Sequence, residues 1–156
     1  MSGVFEKDRS ESELDYFELA RKIWAEVVRL VRNEKDVPKS YRFLIGVPTA
    51  ETARSMVANI NRAYHFYPSS SFNVLERRRY LTLAIADCEQ LLLDMQCMKD
   101  VGLPINVNRL ENLIKMAEAE IGKLQSKRKN TRLIGKQTVE ERIRDAESEL
   151  ERLRSV

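Results

Sequence analysis

The residues able to carry chemistry in this chain are one histidine, two cysteines, a scatter of carboxylates and three clusters of cations. His65 stands beside Phe66 and Tyr67 at a helix end, where a lone imidazole serves as a structural or capping group. Cys88 and Cys97 lie nine residues apart in one helical stretch. Nine residues turn a helix about two and a half times, so the thiols point to opposite faces and cannot bridge within that helix. Two such thiols make no metal site, and buried, reduced cysteines are the expectation. Asp87 and Asp94 share a face, as a solvated edge or as ion-pair partners of neighbouring helices. No glycine-rich phosphate loop, metal-ligand spacing or nucleophile elbow is present. The sequence therefore predicts a protein that is not an enzyme and needs no cofactor or metal.

The cations are more informative than their total. A net charge of +3 conceals an uneven distribution. Residues 1–36 carry about −2, residues 37–71 about +3, residues 126–136 a run of +5, and the last twenty about −2. Lys39 and Arg42 belong to the first basic region, Arg77, Arg78 and Arg79 form a second, and Lys127, Arg128, Lys129 and Arg132 a third. Joined into a stripe, these groups would neutralise phosphates and give salt-sensitive binding to RNA or DNA. The plainer alternative is that they form solvated helical surface.

These groups must be positioned by helices. Only five glycines and four prolines occur in 156 residues, and a third of the chain is charged. That composition, rich in Leu, Ala, Glu, Arg and Lys, belongs to long amphipathic helices. A first helix is expected from about Glu11 to Asn33, capped by Ser10 or Ser12, with Leu14, Phe17, Trp24, Val27, Val28 and Val31 inward. A second is expected over about Pro38–His65, with Phe43, Ala50, Ala53, Val57, Ile60 and Tyr64 on one face. Pro48 either kinks it or divides a short first piece from a longer helix capped by Thr49. The third, from about Phe72 to Asp100, has the clearest stripe: Leu81, Ala84, Ile85, Cys88, Leu91, Leu92, Met95 and Met98. Leu83 and Leu93 fall off that stripe and imply cover on a second side. Gly102 and Pro104 end it, and Asn106 or Asn108 caps a fourth helix to about Gln125. Residues 1–125 thus read as an all-α, antiparallel up-down four-helix bundle. Residues 126–156 read as a basic linker and a charged C-terminal helical extension. Thr138 and Glu141 form a capping box there, and Val139, Ile143, Ala146, Leu150 and Leu153 make a narrow seam suited to a coiled-coil contact. The acidic N-terminus does not resemble a signal peptide and no apolar run reaches membrane-spanning length, so a cytoplasmic protein with no membrane association is expected.

Pro38-Lys39-Ser40-Tyr41-Arg42-Phe43 followed by Gly46 resembles the start of the second helix in one family. That family comprises the four-helix-bundle proteins encoded in intervening sequences of bacterial large ribosomal RNA genes, with the accessory variability determinants of diversity-generating retroelements. Asn59 to Ala63, the Tyr67-Pro68 break and Arg77-Arg78-Arg79-Tyr80 are similar too, and the resemblance spans roughly residues 12–125. It implies a non-enzymatic, basic homo-oligomer, a pentamer in the retroelement proteins, that binds a reverse transcriptase and nucleic acid. Lys39, Arg42 and Arg77–Arg79 would then contact phosphates without reading sequence. For Arg42 a salt bridge or cap contact holding the second helix is the equal alternative. Mild basicity, Pro48 and the extension from Thr138 depart from the family pattern. The competing reading is a helical adaptor that docks through its C-terminal seam and ignores nucleic acid.

Overall fold

The computed structural model describes residues 3–135 and 139–156, with side chains from Asp15 onward. Five α-helices follow in order: α1 Gly3–Arg32, α2 Val47–His65, α3 Ser71–Asp100, α4 Val107–Asn130 and α5 Val139–Arg154. No strand occurs among the described residues. α1 packs on α2 and α4, and α3 packs on the same two helices. This helical body encloses one continuous apolar core.

α1 starts at Gly3 rather than near Glu11, so Ser10 and Ser12 lie inside the helix and not at its N-terminus. Nothing between Gly3 and Glu11 stops a helix: the stretch holds no proline and several good helix formers. The buried stripe of α1 is Tyr16, Ala20, Ile23, Val27 and Leu30. It is rotated from the expected one, leaving Phe17, Trp24 and Val31 half-buried on its flank and Val28 exposed. Leu14 lies outside the residues with described side chains.

The proline question resolves into two short turns before α2. Lys39–Tyr41 forms a 3₁₀ turn and Arg42–Gly46 a π turn, and α2 follows with Pro48 in its first turn. A residue there has no intrahelical donor to lose. The wider π turn lets Val47 N donate to Arg42 O, so the chain continues without interruption. Thr49 does not cap α2, because its hydroxyl donates back to Ile45 O at 2.7 Å. Gly46 is buried against α1, where a Cβ would lie 3.5 Å from that of Val31. Phe43, expected inside, is 83% exposed, and Met56 and Ala63 fill the core of α2 instead.

α3 keeps the expected stripe: Leu81, Ala84, Ile85, Cys88, Leu91, Met95 and Met98 are buried, with Leu92 at its edge. Ser70 caps it, its hydroxyl accepting from Asn73 N at 3.1 Å. Gly102 takes φ +75° in the turn that follows, a conformation that favours glycine. Asn106 caps α4 by accepting from Arg109 N at 3.1 Å. α4 continues five residues beyond Gln125, so Lys127, Arg128 and Lys129 form its last turn rather than a linker. Cations suit that position, facing the negative end of the helix dipole. Thr138, the expected cap of α5, lies outside the described residues.

Candidate nucleic-acid interface

The π and 3₁₀ turns place Lys39 and Arg42 at the corner between α1 and α2. Both reach the same carboxylate, Glu34, at 3.6 Å. Beside them the buried Asp36 accepts from Arg109 Nη1 and from Asn106 N, each at 3.1 Å. Positive charge at this corner therefore stands against acid. The nineteen residues of α2 put this corner roughly 28 Å from the α2–α3 turn. The expected stripe is thus divided, with Lys39 and Arg42 at one end and the remaining basic positions at the other.

At that second end the arginine triplet of α3 meets the last turn of α4. Successive helical residues turn by about 100°, so the three arginines separate by role. Arg77 points inward and is only 5% exposed. Its guanidinium donates to Phe66 O at 3.3 Å and lies 5.5 Å from the centre of the Tyr64 ring, securing the C-terminus of α2. Arg78 Nη2 donates to Thr131 O at 2.6 Å, which ties α3 to the residue following α4. Arg79 remains half-exposed, 4.5 Å from the centre of the Tyr80 ring and paired with Glu76 at 3.0 Å.

The chain leaving α4 folds back over this surface. Thr131 is buried and donates its hydroxyl to Lys127 O at 2.7 Å, and Ile134 N donates to Pro68 O at 2.8 Å. Pro68, Arg77, Lys127 and residues 130–134 enclose a cleft of about 230 Å³. Lys127 lies 5.9 Å from the centre of the Tyr16 ring, and Arg128 donates to the Thr82 hydroxyl at 3.2 Å. Lys129 and Arg132 are exposed beside them. Arg78 and Arg128 thus hold neutral acceptors, which orient a guanidinium and leave its charge uncompensated. The side chain of Lys136 lies outside the described residues. What the sequence did not reveal was the fold-back, although Leu133 and Ile134 amid polar residues are its trace.

α5 leans on the edge of this end. Glu76, almost buried, accepts from Arg152 Nη1 at 2.6 Å as well as from Arg79, and Arg152 also pairs with Glu149 at 2.9 Å. No side chain of α5 is buried.

The remaining groups of chemical interest lie elsewhere. Asp87 accepts from Ser55 Oγ at 2.9 Å and Asn59 Nδ2 at 2.8 Å, a polar clasp between α2 and α3. Asp94 accepts from Gln90 on its own helix. Cys88 is buried and Cys97 exposed, and the Cys88 thiol donates to Met56 Sδ at 3.1 Å. Burial, then the nearby Glu120, raises the Cys88 pKa well above the ordinary thiol value, so it is held as an unreactive thiol. Glu120 occupies a core position of α4 between Ala117 and Leu124, fully enclosed, and neither oxygen has a hydrogen-bond partner among the described residues. Burial pushes its carboxyl up to about 8; Lys123 opposes that rise and Asp15 adds to it. No cluster of three or more His, Cys, Asp or Glu side chains suited to a metal ion occurs among the described residues, and no helix there is long and apolar enough to cross a membrane.

Compared with known proteins, the chain matches no family model, no curated protein and no solved structure.

Proposed function

We propose that this chain is a non-enzymatic accessory protein that binds the phosphate backbone of RNA or DNA through the end where α3 begins and α4 finishes. The observation carrying the reading is the convergence there of Arg78, Arg79, Lys127, Arg128, Lys129 and Arg132, with tyrosine rings beneath two of them. Such a surface holds phosphates by charge and offers no base-reading groove, so its affinity is expected to be sequence-tolerant and strongly salt-dependent. Arg77 would act from inside, by fixing the turn that carries the surface.

The scaffold in this proposal is an antiparallel up-down four-helix bundle with α5 as an extension. Two pairings along α1 and α4 support the antiparallel sense: Asp36, just beyond α1, meets Arg109 near the start of α4, and Asp15 meets Lys123 near its end. The resemblance carried by residues 38–46 and 77–80 supplies the partner, a reverse transcriptase as in diversity-generating retroelements, and a homo-oligomer such as a pentamer. A ring would repeat the basic end once per protomer and multiply modest contacts into avidity.

The test is RNA binding titrated across salt on full-length protein whose mass is followed by light scattering. The reading expects a discrete oligomer with affinity falling steeply with salt, and further loss when Arg79, Lys129 and Arg132 are replaced by alanine. A protein that ignores RNA at low salt would overturn it and leave the adaptor reading, which the exposed apolar seam of α5 favours.

A further inference from the structure

We propose that α5 is a self-recognition helix, pairing in parallel and in register with α5 of a second copy of this chain. Its apolar residues Val139, Ile143, Ala146, Leu150 and Leu153 advance by four, three, four and three. That is a two-heptad coiled-coil core, with Ile143 and Leu150 at a positions and Val139, Ala146 and Leu153 at d positions. The seam stays largely open to solvent: its four larger residues are between 48% and 67% exposed. α5 is held to α3 from its flank, through Arg152 and Glu76. The open face continues onto Leu75 and Phe72 of α3, which line a groove of about 470 Å³ beside Val139, Ile143 and Ala146.

The charges flanking the seam identify the occupant. In a parallel pair, each g residue meets the e residue five positions later on the other helix. Arg142 then faces Glu147 of the second copy, and Glu149 faces Arg154 of the second copy. Both pairs are opposite in sign, and two-fold symmetry repeats each of them. The antiparallel alignment that sets Ile143 against Leu153 brings Glu147 onto Glu147 and Glu149 onto Glu149. The other antiparallel alignment leaves Leu153 unpaired and opposes Glu140 to Glu147. Self-pairing in parallel is the arrangement that fills the core and sets opposite charges at both g–e pairs within the helix, and the same charges repel the alternatives. The helix length of about 24 Å makes this a short contact, so the pairing is reversible. It does not depend on the nucleic-acid reading.

Sedimentation of the full-length protein across concentration tests this. Arg142→Glu and Glu147→Arg each place like charges across the seam and should weaken self-association at least tenfold. The double variant should restore it to within a few-fold, which loss of folding cannot imitate. Where copies also assemble through the bundle, the single variants fall to that assembly's mass rather than to a monomer, so the two contacts read out separately. In a Cys97→Ser background, Ile143→Cys should form a disulfide between copies on mild oxidation, because parallel pairing puts the two 143 positions side by side. A mass indifferent to the single reversals, a double variant that stays apart, or absence of the 143–143 cross-link would each overturn the proposal.

Discussion

At the corner between α1 and α2, Lys39 and Arg42 share Glu34, and Arg109 holds the buried Asp36. At the other end of α2, Arg78 and Arg128 hold a carbonyl and a hydroxyl, and a single buried carboxylate, Glu76, serves both Arg79 and Arg152. Both ends are basic in sequence, yet at one the cations face carboxylates and at the other Arg78 and Arg128 face neutral acceptors. The contrast teaches that a count of cations says little until each cation's acceptor is known. A guanidinium on a carbonyl is aimed with its charge intact, whereas one on a carboxylate, as Arg79 is on Glu76, is neutralised in part.

Midway between the ends stands the limiting case, a buried carboxylate with no hydrogen-bonding partner among the described residues. The folded Glu120 carboxyl holds its proton up to about pH 8, against an ordinary value of 4.5. The folded state thus binds the proton more tightly, so this contribution to stability is present below about pH 4.5 and is lost as pH rises through 8. Urea unfolding should show stability lower at pH 9 than at pH 5 by on the order of 4 kcal/mol from this group. Glu120→Leu should flatten that slope and raise stability at pH 9. A wild-type profile already flat between those values would refute the assignment.

The two partnered carboxylates should respond more modestly, and only one of them should alter RNA binding. Glu76→Gln removes the anchor of Arg152 and Arg79 and should cost about 2 kcal/mol, as loss of a nearly buried ionic partner does. It should also release α5, visible as faster amide exchange along residues 139–154, and strengthen RNA binding by freeing Arg79. Asp36→Asn should cost a similar amount without changing RNA affinity. Equal effects of the two on RNA binding would erase the distinction between the ends.

The cations of the two ends are compared directly by replacing them. Replacing Arg79, Lys129 and Arg132 by alanine should lower RNA affinity about 100-fold at moderate salt and reduce the slope of log affinity against log salt by about 2 to 3. Lys39→Ala with Arg42→Ala should change it less than about threefold, since both cations already face Glu34. A larger effect at the corner than at the basic end would reverse the comparison.

Legibility followed the strength of local signals. The stripe of α3 was readable because Leu81 to Met98 repeats without interruption and nothing competes with it. The start of α1 was not, because Ser10 and Ser12 are good caps that a continuing helix simply overrode. The end of α4 was missed where Lys127–Asn130 offers no apolar residue to extend the periodicity. Arg77, Arg78 and Arg79 are indistinguishable as letters, and only the helix phase set by the core turns the first of them inward. Glu120 is silent in an apolar stripe because it is polar, although its place between Ala117 and Leu124 marks it as interior.

The hydrogen bond from Ile134 to Pro68 does more than fold a strand of chain over the basic end. It shortens a leash. Only four residues separate Ile134 from Val139, so α5 cannot drift far from the point where it is pinned. Its concentration near α3 is therefore high, in the millimolar range expected of a short tether. The Arg152–Glu76 ion pair therefore closes onto α3 at little further cost in entropy, and a ligand that pried Ile134 from Pro68 would slacken the leash and lower that local concentration.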